Sequence, residues 1–274
     1  MTYLMSVVLG FVQGVAEFLP ISSSGHLSLL QSWFGMEEPD NLFNVLLHFA
    51  TLIAVCVVYW RDIIDMIREF FLGVASLTGR KRGTVQVPPA RRLVMMVILG
   101  TLPLVLVLPV EDKVEALGGS ELFVGLALLV TGAILFLSDR MARGNKTART
   151  ATVKDSLLVG CAQALAVIPG LSRSGCTISA GMALGFNRTF AVRYSFLLSL
   201  PAVLGATLLK VLDVAKDGIN TELLPIYFAG MVVAGVVGYF SIRLVNMLAQ
   251  KNKFGRFAYY CWVIGLVAIV VSFL

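Results

Sequence analysis

Gln13-Gly14-Val15-Ala16-Glu17-Phe18-Leu19-Pro20-Ile21-Ser22-Ser23-Ser24-Gly25-His26 combines an amide, a carboxylate, three hydroxyls and one of only two histidines within an apolar run. Gln13 and Glu17 lie one helical turn apart and project from one face. Facing a diphosphate, that pair suits a divalent cation such as Mg²⁺, which prefers oxygen ligands and bridging phosphates. Glu17 can instead position or deprotonate a nucleophile. His26 follows Ser23 by three residues, so a hydroxyl–imidazole pair is expected on the first turn of a helix. Histidine carries protons near neutral pH and can itself attack phosphorus.

A second stretch, Gly160 to Gly175, contributes Gln163, Ser172, Arg173 and Ser174. In both stretches the polar residues precede a new helix: Ser22-Ser23-Ser24-Gly25 in the first, Ser172-Arg173-Ser174-Gly175 in the second. Serines there cap free N–H groups, and a helix N-terminus with spare donors binds anions. Arg173 adds a planar guanidinium suited to phosphate oxygens. The expected ligand is strongly anionic, a phosphate or diphosphate. In the structural alternative, the serines only cap helices and Arg173 pairs with Glu17. His48, inside the apolar run 43–60, reads as a helix-packing residue.

The elements that hold these groups are membrane elements. The chain has 274 residues, 58% hydrophobic and only 14% charged, with a mean hydropathy of +0.87. Soluble domains have about 25% charged residues. Polar groups at membrane depth are costly and mark function by default. The net charge of +6 reflects basic cytoplasmic loops and gives no reason to expect nucleic-acid binding. No basic n-region with a cleavage site opens the chain, so no cleaved signal peptide is expected. Cys56, Cys161, Cys176 and Cys261 form no CxxC pair and read as packing residues, with Cys176 left open by its place near the second motif.

Apolar runs long enough to span the hydrocarbon core cover 43–60, 92–110, 122–138, 194–212, 225–245 and 258–274. The loops 61–92, 139–154 and 243–256 are rich in Lys and Arg and are expected inside; 111–121 and 213–222 are acid-leaning and fall outside. The segment 156–187 must then enter and leave on one face. It breaks at Pro169-Gly170 into pieces too short to cross. The segment 3–35 breaks likewise at Pro20 and is expected to re-enter from the outer face. At an offset of 150, Ser6, Gly10, Gln13, Ala16, Ser22, Ser24 and Gly25 match Ser156, Gly160, Gln163, Ala166, Ser172, Ser174 and Gly175. The expected fold is an all-α polytopic membrane protein with an inverted-topology repeat. The halves are 1–140 and 151–274, in one membrane domain of six transmembrane helices and two re-entrant helix–loop–helix hairpins meeting at the membrane centre.

The run from Gln13 and Glu17 through Phe18-Leu19-Pro20-Ile21-Ser22-Ser23-Ser24-Gly25-His26 resembles the first signature of the bacterial undecaprenyl-diphosphatase family, the bacitracin-resistance type. Pro169-Gly170-Leu171-Ser172-Arg173-Ser174-Gly175-Cys176-Thr177 resembles its second. Both occur in order, and the similarity spans the chain. The resemblance implies hydrolysis of undecaprenyl diphosphate to the monophosphate carrier used for cell-wall precursors, and hence bacitracin resistance. It also implies a requirement for Mg²⁺ or Ca²⁺ and a site opening to the outer (periplasmic) face of the bacterial cytoplasmic membrane. Carried over, the key acid falls on Glu17, the histidine on His26, the first serine on Ser23, and the second motif's Ser, Arg and Thr on Ser172, Arg173 and Thr177. Gln13 stands at an acid-or-amide position, which weakens metal binding relative to a carboxylate. Cys176 stands where a hydroxyl residue is common.

The site expected on these grounds has Glu17, Ser23, His26 and Arg173 as catalytic residues. Ser22, Ser24, Gly25, Ser172, Ser174, Gly175 and Thr177 bind phosphate, and Glu17 with Gln13 holds the metal. The nucleophile is open between Ser23, His26 and water. Expected partners are a polyprenyl diphosphate and membrane lipids, with a homodimer left open. The mechanism of type-2 phosphatidic-acid phosphatases needs a second histidine after its Ser-Arg element, and no histidine follows His48. A polyprenyl-lipid transporter or flippase on the same inverted repeat is the alternative function.

Overall fold

A computed structural model describes residues 1–36, 41–77, 87–110, 113–114, 116–141, 144–217, 221–251 and 254–274. The charged residues Glu37, Glu38, Asp40, Arg80, Lys81, Arg82, Glu111, Asp112, Glu115, Arg143 and Lys253, used in the loop assignment, lie outside the described residues. The described residues are mainly helical. The first half holds α1 (Tyr3–Ala16), α2 (Ser23–Trp33), α3 (Asn41–Val58), α4 (Trp60–Leu77), α5 (Pro89–Val105) and α6 (Glu121–Met141). The second holds α7 (Val153–Leu165), α8 (Arg173–Ala183), α9 (Arg188–Asp217), α10 (Leu224–Gln250) and α11 (Arg256–Val271).

Among the described residues, four helices are long and apolar enough to cross a membrane: Pro89–Val110, Glu121–Met141, Arg188–Leu209 and Leu224–Gln250. A fifth crossing arises if α3 and α4 count as one bent pair. The protein is therefore a multi-pass membrane protein. The expected span 258–274 corresponds to α11, 16 residues long, about 24 Å as helix. The loop expected from 61 contains α4, which leaves α3 at 85°. Trp60, Ile64, Ile67, Phe71 and Val74 form an exposed apolar stripe along it at helical spacing, while the charged residues Asp62 and Glu69 pair with Arg193 and Arg91.

Both expected breaks are present. Helix α1 is capped by Thr2, whose hydroxyl accepts from the Met5 N–H at 3.3 Å, and it stops before Pro20. Helix α2 restarts on Ser22, whose Oγ accepts from the Gly25 N–H at 3.2 Å. Ser22 has φ +72°, a left-handed backbone that costs a non-glycine residue free energy. Helix α7 starts on a capping box of Thr152 and Asp155. Its chain turns at Gly170, φ +90°, and α8 restarts on Ser172, whose Oγ accepts from the Gly175 N–H at 3.0 Å.

The ends of each broken pair come together. Lys146 and Phe186 form a parallel bridge, with Lys146 N–H to Gly185 O at 2.9 Å and Asn187 N–H to Lys146 O at 3.0 Å. Met1 and Phe34 share an apolar cluster with Tyr227 near the start of α10, and Ser6 donates to Ile226 O at 2.5 Å. Past the far end of α10, Gly255 backs onto Asp139, which pairs with Arg188 next to the second hairpin. The outer ends of the two broken helix pairs therefore lie near opposite ends of α10.

Close helix approach makes this possible. Gly10 on α1 faces the Gly230 backbone of α10, and Gly160 on α7 faces the Gly100 backbone of α5. A Cβ at Gly14 would stand 2.7 Å from Ala234 O and 2.8 Å from Val237 Cβ. Small residues let backbones pack closely where lipid gives no hydrophobic drive between helices. Gly14→Val should lower stability by about 1–3 kcal/mol through overpacking, read as a lower thermal midpoint in detergent. Gly119→Ala, where a Cβ meets open space, should leave the midpoint unchanged.

Candidate functional site

The two breaks touch. A Cβ on Gly25 would lie 3.1 Å from Gly170 Cα, closer than nearly all Cβ contacts, so a larger residue would have to push the second tip back. Ser22 donates to Leu171 O and Ser174 to Leu19 O, each at 3.4 Å. Thr131 of α6 holds the second break from behind, donating to Gly170 O at 3.1 Å and accepting from Ser172 N–H at 3.2 Å.

Glu17 lies where the two tips meet, its side chain only 4% exposed. Its Oε1 accepts from Arg173 Nη2 in an ion pair between the two halves. Its Oε2 accepts from Ser23 Oγ at 2.7 Å and from Gln13 Nε2 at 3.1 Å. His48 Nδ1 stands 3.2 Å from the same oxygen and 2.9 Å from Gln13 Nε2. That nitrogen accepts from the amide in one tautomer or donates to the carboxylate in the other. The packing role assigned to His48 from sequence is therefore corrected: α3 carries it to the edge of the carboxylate.

A cavity of about 390 Å³ opens beside this pair. Glu17, Ser23, Ser24, His48, Ser172 and Arg173 line its polar end, and Val45, Leu104, Val105, Leu108, Val203 and Leu209 line its apolar walls. Those walls come mainly from α5 and α9, each with an internal proline, Pro103 and Pro201, which removes a helix hydrogen bond. The cavity reaches Leu108 and Leu209, toward the ends of α5 and α9 remote from Arg91, Arg92, Arg188 and Arg193.

The remaining expected residues surround this end without lining it. Ser22, Ser174, Gly25 and Gly175 build the tip contacts. Thr177 Oγ1 donates to Arg173 O at 2.8 Å and lies 2.6 Å from Ser195 Oγ, fixing α8 against α9. The expected Ser23–His26 pair is not formed. His26 Nδ1 bonds Ser22 O at 2.8 Å and its Nε2 bonds Tyr260 OH at 2.9 Å. The two rings stack at 8°, centroids 5.6 Å apart. The backbone turn at Ser22 directs the imidazole toward α11, while Ser23 faces Glu17. All four cysteines are free thiols, and Cys176 is buried.

No group of three His, Cys, Asp or Glu able to hold a metal occurs among the described residues. Gln13 Oε1 is buried without a hydrogen-bond partner, one turn from a carboxylate. An amide oxygen and a carboxylate are the hard donors that Mg²⁺ or Ca²⁺ takes when phosphates and water complete the shell, so the residues fit such an ion. Sequence reasoning gave Gln163 no site role and read His48 as packing, yet both stand at the cavity wall. Gln163 carried a signal, since it repeats Gln13.

Breaking the ion pair from one side leaves a buried carboxylate without its cation, which costs about 3–5 kcal/mol in buried sites. Arg173 is 24% exposed, so Arg173→Met should lie near the lower end, about 3 kcal/mol. Glu17→Gln in the same background should recover much of the loss. Thermal unfolding of wild type, Arg173→Met and the double variant in detergent measures both.

The family described as bacitracin resistance protein BacA matches residues 6–267. The chain is 42% identical over 274 residues to an undecaprenyl-diphosphatase of Methanosphaera stadtmanae, covering 98% of each chain. It is 40% identical over 276 residues to one of Methanobrevibacter smithii, covering 99% of this chain and 98% of that relative. It is 38% identical over 276 residues to one of Alkaliphilus metalliredigens, covering 100% of both. With the family match spanning nearly all of a membrane-embedded chain whose two motifs meet at one cavity, the protein belongs to the bacitracin resistance protein BacA family.

Proposed function

We propose that this protein hydrolyses undecaprenyl diphosphate to undecaprenyl phosphate and inorganic phosphate, recycling the lipid carrier for cell-wall synthesis and so conferring bacitracin resistance. One observation carries the reading: Glu17, Ser23 and Arg173 converge at the polar end of a cavity whose other walls are apolar. A diphosphate belongs at that end, and the first isoprene units belong between α5 and α9. Relatives named as phosphatases favour the enzyme over a transporter.

Ser23 is the proposed nucleophile. Its hydroxyl already donates to a carboxylate, the arrangement that activates an alcohol. Glu17 takes the proton as Ser23 Oγ bonds to the terminal phosphorus. The bond from that phosphorus to the bridging oxygen breaks, undecaprenyl phosphate leaves, and water then hydrolyses the phosphoserine. Arg173 and the N–H groups opening α2 and α8 stabilise charge on the transferring group, where positioning and electrostatics dominate. His26 acts through Ser22 and the shape of the first tip. Gln13 and Glu17 would hold Mg²⁺ or Ca²⁺, which supplies charge neutralisation on the phosphates. Ser22, Ser24, Gly25, Ser172, Ser174, Gly175 and Thr177 form or support the phosphate cradle.

For the architecture, we propose the inverted repeat, with halves 1–140 and 151–274, six spans and two re-entrant hairpins. The matched glycine contacts, Gly10 to Gly230 and Gly160 to Gly100, support it, as do the outer ends of the two broken helix pairs, which lie near opposite ends of α10. With the basic ends of α5 and α9 inside, the cavity opens to the outer face of the cytoplasmic membrane.

Purified protein with Mg²⁺ should release phosphate from a C55 or shorter polyprenyl diphosphate, and a chelator should stop it. Arg173→Ala should reduce kcat by at least about 100-fold, the scale of losing a transition-state donor. Rapid quench with labelled substrate should trap phosphate on Ser23; an adduct on His26 would overturn the assignment of the nucleophile. No phosphate release under any divalent-cation condition would falsify the activity.

A further inference from the structure

Gln163 lies on α7 and lines the same cavity. The residue is 2% exposed, and neither its Nε2 nor its Oε1 has a hydrogen-bond partner among the described residues. Buried amides are nearly always satisfied, and leaving both atoms unpaired costs free energy that an apolar side chain of the same length avoids. Most other polar side chains at the wall are occupied. Glu17 holds Arg173 and Ser23, Thr101 donates to Val97 O at 2.8 Å, and Ser172 caps Gly175.

The repeat explains why this amide has no internal partner. At the offset of 150, Gln163 stands where Gln13 stands in the first half. Gln13 spends its Nε2 on Glu17. The residue one turn beyond Gln163 is Val167, which offers nothing to bond, so the second amide keeps both its donor and its acceptor for whatever fills the cavity.

We propose that Gln163 is a substrate-binding residue for the diphosphate group. Nε2 donates to a phosphate oxygen, and Oε1 accepts from a phosphate hydroxyl or a phosphate-bound water. This rests on the phosphatase reading for its ligand, and it adds a contact from the face of the cavity that carries no acid.

Gln163→Met keeps length and removes both polar atoms; Gln163→Glu keeps shape and adds a negative charge. With a short-chain polyprenyl diphosphate, Gln163→Met should raise KM roughly tenfold with kcat little changed, the pattern of a contact made equally in ground and transition states. Gln163→Glu should raise KM further. The thermal midpoint of ligand-free Gln163→Met should equal or exceed that of wild type, because an unsatisfied amide has been removed. Inorganic pyrophosphate should raise the midpoint of wild type more than that of Gln163→Met. A purely structural glutamine gives the opposite pattern, a lower midpoint with KM and pyrophosphate protection unchanged, and that result overturns the proposal. So does a fall in kcat alone. The pyrophosphate measurement needs no turnover. Protection lost in Gln163→Met beside an inactive wild type would sink the proposed function and leave this inference standing. Active wild type with an indistinguishable Gln163→Met would sink this inference alone.

Discussion

The Glu17–Arg173 pair joins residues 156 positions apart, and the rest of the molecule is constrained by the need to form it. A carboxylate at membrane depth is tolerable only when paired and hydrogen-bonded. Neither half of the chain carries both partners at its tip, so the two tips must meet. Meeting requires two broken helices to approach at backbone distance, which the contact of Gly25 with Gly170 provides. Each broken helix must also sit close against a neighbour from the other half, which Gly10 and Gly160 provide. The small-residue contacts are thus a consequence of where one charge has to be.

The same pair sets the chemistry. Arg173 satisfies Glu17. A diphosphate bound as proposed would bring oxygens that compete for the guanidinium, whose bidentate geometry suits phosphate as well as carboxylate. In the proposed reaction Arg173 turns toward phosphate while Glu17 keeps its contact with Ser23, which leaves the carboxylate free to take the Ser23 proton. In that proposal one side chain, Arg173, links the arrival of substrate to the release of Glu17.

Much of this arrangement was legible in the sequence because it rests on local rules. Pro20 and Pro169-Gly170 break helices wherever they occur, serines before a helix cap it, and the offset of 150 exposes the repeat. The structural alternative also described real contacts, since Ser22 and Ser172 do cap and Arg173 does pair with Glu17. What separates the readings is the cavity beside those contacts, which no local rule reveals. The direction of the His26 ring depends on a left-handed Ser22 and on Tyr260, 234 residues away. His48 sits in an apolar run that reads as packing, and only the approach of α3 to α1 brings it to Glu17. Helix α4 was hidden because its charges read as a basic loop, although its apolar residues recur at helical spacing.

The proposed repeat matches small and capping residues between the halves and diverges at the reactive ones. At matched positions the first half has Glu17, Ser23 and His26 where the second has Val167, Arg173 and Cys176. Facing tips with identical groups would place two carboxylates or two guanidiniums against each other in a medium that screens poorly, and like charges so placed repel strongly. Two copies of one hairpin can therefore share a site only by diverging at these positions. The acid and the proposed nucleophile stay with one tip, and the cation goes to the other. The glutamines at 13 and 163 carry no charge, so nothing forces them apart, and both remain.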